Sequence, residues 1–175
     1  LSERAELAAV LGYGFYNAHG VDNESETLSA LVGAEYLLAE NARLELLIGL
    51  RRTERRFEDP SGQSLTEESS GPTYRLSLSR DLARGGGFSL EASREVTPSG
   101  AGEVVDLTRV QLGLSYPFHE RLSLRLGVQG SLSRAPSGDS DDEDVGFASG
   151  DLGLSYLLAE GWRVGLGFRP RWQSR

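Results

Sequence analysis

The stretch that most constrains what this chain can fold into is Leu112 to Val128, LGLSYPFHERLSLRLGV. Leu112, Leu114 and Tyr116 alternate with Gly113 and Ser115, and after a short connection Leu122, Leu124, Leu126 and Val128 alternate with Ser123, Arg125 and Gly127. A period of two on both sides of Pro117 to Arg121 specifies two antiparallel strands. One face is large and apolar, and the other is glycine, serine and arginine. A sheet wetted on one face in solution usually carries bulkier Thr, Lys or Glu there. Small residues mixed with long charged ones suit a barrel lumen, and leucines suit lipid. The expected fold is all-β, an antiparallel up-and-down transmembrane β-barrel.

The same alternation recurs along the chain. Strand 1 is expected over Glu6 to Tyr16, strand 2 over Thr27 to Leu38, and strand 3 around Leu44 to Leu50. Strand 4 carries Tyr74, Leu76, Leu78 and Leu82, strand 5 carries Phe88, Leu90 and Ala92, and strand 6 begins near Val104. Strand 7 ends near Arg134, strand 8 carries Leu152 to Leu158, and strand 9 carries Trp162 to Phe168. Connections after strands 2, 4, 6 and 8 are tight. Those after strands 1, 3, 5 and 7 are long and polar: Asn17 to Glu26, Glu58 to Gly71, Thr97 to Gly102, and Ser137 to Asp144. Short turns on one side and long loops on the other are the pattern of bacterial barrels.

Aromatic residues gather at strand ends. Tyr36, Phe88, Tyr116, Phe118, Tyr156 and Trp162 flank the tight turns, while Tyr13, Phe15, Tyr74, Phe147 and Phe168 lie toward the long loops. Two belts of amphipathic rings are expected at the two membrane interfaces. The hairpins also repeat. Gly33, Tyr36 and Glu40 share their spacing with Gly113, Tyr116 and Glu120 and with Gly153, Tyr156 and Glu160. A further copy is due near residue 80, and the glycine turn Arg84 to Gly87 falls close to that place. A single hairpin leaves both edges unpaired, so repeated hairpins must join into a meander.

The segments GAEYLLAENARLELLIGLRR, VTPSGAGEVVDLTRVQLGLSYPFHERLSLRLGV and LGLSYLLAEGWRVGLGF resemble outer-membrane β-barrel, porin-like proteins of Gram-negative bacteria, in particular barrels associated with exopolysaccharide-export systems. The resemblance implies residence in the bacterial outer membrane. It also implies partners: outer-membrane lipid and lipopolysaccharide, the barrel-insertion machinery, and polysaccharide. Such proteins usually finish on an aromatic residue, whereas this sequence finishes Arg169-Pro170-Arg171-Trp172-Gln173-Ser174-Arg175. Nine strands leave the two ends on opposite sides, and single-chain bacterial barrels close with even numbers. An exported barrel needs an export signal and the strand pattern is under way by Glu6, so a mature or excised segment is expected. The expectation is one barrel domain over 1–175 or a segment of a larger barrel, with ten or more strands when intact.

Composition removes several classes of function. The chain has no Cys, so it has neither a disulfide framework nor a thiolate metal site. All 18 basic residues are arginine, against 26 acids, a balance that argues against nucleic acid as a partner. No run of about 18 apolar residues exists for a helical span. Catalysis is poorly served: His19 lies in a long loop near Asp22 and Glu24, His119 lies in a tight turn, and no nucleophile motif appears. No cofactor is expected. The acidic stretch Asp139, Asp141, Asp142, Glu143 and Asp144 lacks the spacing of a calcium loop and suits a solvated surface loop.

The candidate site is the inner face. It collects Arg43, Arg51, Arg75, Arg109, Arg125, Arg163 and Arg169 against Glu35, Glu45, Asp81, Glu91, Glu95 and Asp151. Near-neutral balance suits a lumen of mutually satisfied ion pairs. The same residues, in a wider barrel, make an arginine ladder for anionic solutes or polysaccharide. The function expected is a pore or accessory conduit. The alternatives are a plugged structural or surface-interaction barrel and, far behind, a lipid-modifying enzyme.

Overall fold

The computed structural model describes residues 4–18, 23–58, 63–98, 104–134 and 145–174. The strands are β1 Ala5–Ala18, β2 Asn23–Ala39, β3 Ala42–Glu58, β4 Ser64–Leu82, β5 Gly86–Pro98, β6 Val104–His119, β7 Leu122–Arg134, β8 Val145–Ala159, β9 Trp162–Phe168 and β10 Arg171–Ser174. They form one antiparallel sheet in which each strand from β1 to β8 pairs with the next. β9 and β10 both lie along the free edge of β8, and their register is continuous, from Leu152↔Phe168 to Gly146↔Ser174. Between them the Gly150 N–H donates to the Pro170 carbonyl at 3.0 Å, and Pro170 has no N–H to return. The two segments are thus one strand with a missing rung. The sheet has nine ladder positions, the number the alternation indicates, and is an antiparallel meander. Its edges, β1 and β9–β10, do not pair with each other among the described residues.

The sheet is inside out by the standard of a water-soluble protein. Among the described residues the only buried hydrophobic side chains are Ala42 and Leu47, whereas Leu11 is 83% exposed, Leu166 75% and Leu7 74%. Register sorts most of the exposed ones onto one face, as in the row Ala9–Val32–Ile48–Tyr74, with Val10, Leu65 and Val145 on the other. The opposite face carries Ser25, Arg51, Thr53 and Thr73, all buried. Polar groups sheltered and apolar groups displayed is the arrangement that an apolar solvent demands.

The apolar band has a definite height. Outward positions on β3 run Leu44, Leu46, Ile48 and Leu50, then change to Arg52, Glu54 and Arg56. At about 3.3 Å per residue the apolar part spans roughly 20 Å along the strand, close to the ≈ 25 Å band of membrane barrels. Beyond it β3 and β4 continue as a charged ribbon, with Arg52 bonded to Glu68 at 2.7 Å and Arg56 to Glu54 at 2.7 Å. This corrects the expectation of a loop over Glu58 to Gly71, because Ser64 to Gly71 is strand, paired with Arg51 to Glu58. The segment lacks an apolar face because it stands above the band. Its pairing is supported by cross-strand charges and hydroxyls. Asn17, Ala18 and Asn23 to Glu26 are likewise strand rather than loop.

Three tight turns share one register pattern, with a left-handed φ of 85° at Gly161 in the last. Glu40-Asn41, Glu120-Arg121 and Glu160-Gly161 each follow a register shift, at Leu37/Ala39, Pro117/His119 and Leu157/Ala159. The repeat of forty residues is therefore a structural one, bulge and turn together. The fourth slot is built differently, as a 3₁₀ turn over Ala83–Gly85 in which Arg84 takes a left-handed φ of 62°. The Arg84 side chain donates to the Phe118 carbonyl of the neighbouring turn at 2.8 Å, tying adjacent turns together.

The sharpest packing lies between β2 and β3. Gly33 faces Leu47 and Gly49 faces Leu31. A Cβ at Gly33 would collide with the Leu46 carbonyl, and one at Gly49 with the Ala30 carbonyl. Neither obstacle is a movable side chain. Here the strands approach closely, and Leu47 opposite Gly33 is fully buried. Gly33→Ala is expected to destabilise by about 1–3 kcal/mol, the usual cost of overpacking, in a urea titration of the lipid-refolded chain. A midpoint equal to wild type would show that the close approach is not needed there.

Candidate lumenal site

The concave face carries its charges in three clusters. Near the tight turns Arg43 Nε meets Glu35 Oε1 at 2.8 Å. At the far edge Arg169 Nε meets Asp151 Oδ2 at 2.6 Å, beside an open hollow that also receives Arg125 and Arg163. On β5 and β6 Arg109 stands 3.9 Å from Glu95. Arg75, Arg125 and Arg163 are exposed and make no ion pair among the described residues. Asp81 and Glu91 are likewise exposed and Glu45 is half-buried, and none of the three makes an ion pair among the described residues.

Arg51 is different. Its side chain is 2% exposed, and its Nη2 bonds Asp106 Oδ1 on β6, three strands away. Asp106 Oδ2 accepts a second bond from Arg94 Nη2 of β5 at 3.0 Å. The β4–β5 ladder explains how residues so distant meet. It ends at Tyr74↔Arg94, so the upper part of β4 has no β5 partner and the sheet opens there. Arg51 enters the opening from one side, Arg94 and Asp106 from the other. Thr73 Oγ1, bonded to the Arg94 carbonyl at 2.7 Å, closes the last rung. One carboxylate between two guanidiniums leaves the cluster at net +1, and Nε and Nη1 of Arg51 find no partner among the described residues.

Asp106 and Arg94 escape a reading based on alternation. By register both share a face with Val110, Leu112 and Leu90, the apolar one. The available signal was their charge: a carboxylate and a guanidinium on apolar-face positions close to the long loops. Phe147 needs the opposite correction. It pairs with Ser131, which pairs with Arg109, so it lies on the inner face and not in an aromatic belt. Its distance from the loop suits a belt, but the odd position on β8 does not, since Leu152, Leu154, Tyr156 and Leu158 take the outer one.

The other expected belt rings lie on the outer face. Tyr36, Tyr156, Trp162 and Phe118 are exposed at the tight-turn end, where Tyr116 and Phe118 meet edge to face at 5.2 Å. Phe88 joins them opposite Arg80 and Leu114. Tyr13, Phe15 and Phe168 are exposed on the outer face, and Tyr74 pairs with Ile48. Trp172, 60% exposed, adds a ring that strand reading stopped short of. His119 is exposed at the end of β6. His19, Asp22 and the acidic stretch 137–144 lie outside the described residues.

No protein-family model matches this sequence, and no curated protein matches it. Solved structures do. The copper transporter OprC aligns at 14% identity over 99% of this chain and 36% of its own, with a TM-score of 0.66. A deltaS2S3 mutant of the TodX monoaromatic hydrocarbon channel aligns at 14% identity over 97% of this chain and 64% of its own, with a TM-score of 0.43. The P. putida toluene transporter TodX gives 13%, 96%, 63% and 0.36. The chain thus spans about a third of the length of OprC, and at this identity the likeness is one of fold: an antiparallel meander shared with the OprC sheet along nearly the whole of this chain.

Proposed function

We propose that this chain forms wall of a β-barrel in a bacterial outer membrane, and that the barrel is a pore or conduit for solutes. The observation that carries the reading is the inversion of solvation: Leu47 and Ala42 alone buried among described hydrophobics, apolar residues displayed in a band of membrane height, and charge sheltered behind them. An open sheet edge is not stable in lipid, so β1 and β9–β10 are paired when the wall is in place. Transport fits better than catalysis, because the concave face carries arginines and hydroxyls but none of the described residues forms a nucleophile–base pair. The partners follow from the setting: lipid against the apolar band, lipopolysaccharide beside the charged ribbon of β3 and β4, and the insertion machinery. The balance of 18 arginines against 26 acids argues against nucleic acid as a partner.

Small anionic solutes are the cargo this face suits best, since Arg75, Arg125 and Arg163 are exposed and form no ion pair among the described residues. Export of exopolysaccharide has only the sequence resemblance behind it. A plugged lumen has in its favour that Arg43–Glu35, Arg109–Glu95 and Arg169–Asp151 neutralise charge on the inner face, each pair joining neighbouring strands along the wall.

Two measurements separate these readings. In liposomes a water-soluble maleimide should label Arg125→Cys and leave Leu124→Cys untouched; the reverse would mean that the apolar face is a soluble core. In planar bilayers the reconstituted chain should pass an anion-selective current, and changing Arg75, Arg125 and Arg163 to Ser should reduce the selectivity. A silent bilayer would leave the plugged barrel as the answer.

A further inference from the structure

The triad of Arg51, Asp106 and Arg94 joins opposite faces of the sheet. Arg51 is on the inner face of β3, while Asp106 and Arg94 hold apolar-face positions on β6 and β5. Two arrangements could bring them together. Arg51 could thread outward through the opening between β4 and β5, or the end of the β5–β6 hairpin could lie inward, behind β4. Threading would leave the guanidinium in lipid or water, yet it is almost wholly buried, and so is Asp106. Arg51 also lies against Gly71 on the inner face of β4, its Nη2 3.4 Å from where a Cβ would be. The hairpin end is therefore lapped over the inner face of β3 and β4.

Its surroundings leave it loosely held. Glu95 and Val96 share a hollow of about 370 Å³ with Tyr16, Ser25 and Ser29, so the end of β5 stands across a space from β1 and β2. Beyond Tyr74↔Arg94 no rung ties it to β4, although β5 and β6 stay paired as far as Pro98↔Val104. In the continued register Val96 would face Pro72, which has no N–H. Proline belongs to strand edges, so this stretch of β4, paired with β3 on its other side, is built as an edge. Arg94 and Asp106 are both on the hairpin, so Arg51 alone of the triad anchors it to β3. That anchor is under-satisfied, because Nε and Nη1 of Arg51 are buried without acceptors among the described residues.

We propose that the outer end of β5–β6 is a flap across the mouth of the lumen, hinged at Tyr74 and Arg94 and latched by Arg51 on Asp106. Swung outward, it uncovers the inner face of β2 to β4. A short element with one hinge and one latch is the kind of segment that switches between two positions. The flap gates the conduit proposed above, and only that consequence rests on the conduit reading.

The test is the rate at which a water-soluble maleimide labels Ser25→Cys in the vesicle-reconstituted chain, since Ser25 is buried and lines the hollow. Labelling should be slow in the parent and at least tenfold faster with Arg51→Met, which leaves Asp106 paired with Arg94. Ala42→Cys, buried at the opposite end of β3, should stay slow in both and reports any general loosening. Should Arg51→Met loosen the whole sheet, Arg51→Lys keeps the charge without the planar fork. It should still speed Ser25→Cys at least threefold, with Ala42→Cys unchanged. Equal rates at Ser25→Cys in parent and folded variant, or fast labelling in the parent, would overturn the flap. In planar bilayers Arg51→Met should also raise the current. Faster labelling with no current in either chain would sink the conduit and leave the flap standing, and a current with unchanged labelling would do the opposite.

Discussion

Asp106→Asn is expected to cost about 3–5 kcal/mol, the usual penalty for leaving buried charge without its partner. The carboxylate of Asp106 accepts from Arg51 on one oxygen and Arg94 on the other, and both it and Arg51 are buried. Asparagine keeps the volume and one acceptor but removes the negative charge, so two guanidiniums confront each other across the place where β4 and β5 part. The loss should be partly recovered by Arg51→Met in the same chain, since that removes one of the stranded charges; two residues in one network are not additive. Urea titrations of the wild type, both single variants and the double variant in lipid vesicles would measure the coupling. Simple additivity would mean that water reaches the cluster and that β4 and β5 are held together by other contacts.

Most of the fold was legible because a period of two is a direct image of a pleated strand. Once Leu112, Leu114 and Tyr116 alternate with Gly113 and Ser115, the face of each residue is fixed, and the nine ladder positions follow from nine such runs. Alternation fails wherever both faces are wet. Ser64 to Gly71 is polar but for Leu65, so no alternation in it distinguishes a loop from a strand standing in water, and only its pairing with Arg51 to Glu58 decides. Alternation also assumes that facing parity survives along a strand. At the opening between β4 and β5 it does not serve: Arg94 and Asp106 keep apolar-face positions, yet meet Arg51 from the other face. The inner charges could be named from the sequence, but their pairing could not, because the partners of Arg51 are set by strand separation and not by spacing. The repeat was the strongest long-range signal, since identical bulges at Leu37/Ala39, Pro117/His119 and Leu157/Ala159 underlie the recurring Gly, Tyr and Glu.

Ile48→Arg is expected to destabilise the membrane-inserted chain by about 2–4 kcal/mol, the cost of a guanidinium near the bilayer midplane on the lipid face. Ile48 is 56% exposed, paired between Val32 and Tyr74, and lies within the outward run from Leu44 to Leu50. The strand itself supplies the control. Arg52 occupies an outward position of β3 only four residues further on and is bonded to Glu68, so this sequence places arginine on that face once the band has ended. Cost should therefore fall steeply along one strand, with Leu50→Arg nearer the 0–1 kcal/mol of interfacial positions. A refolding titration of both variants in vesicles gives the profile. Equal penalties at 48 and 50, or none at either, would remove the depth axis from the sheet and with it the assignment of the apolar face to lipid.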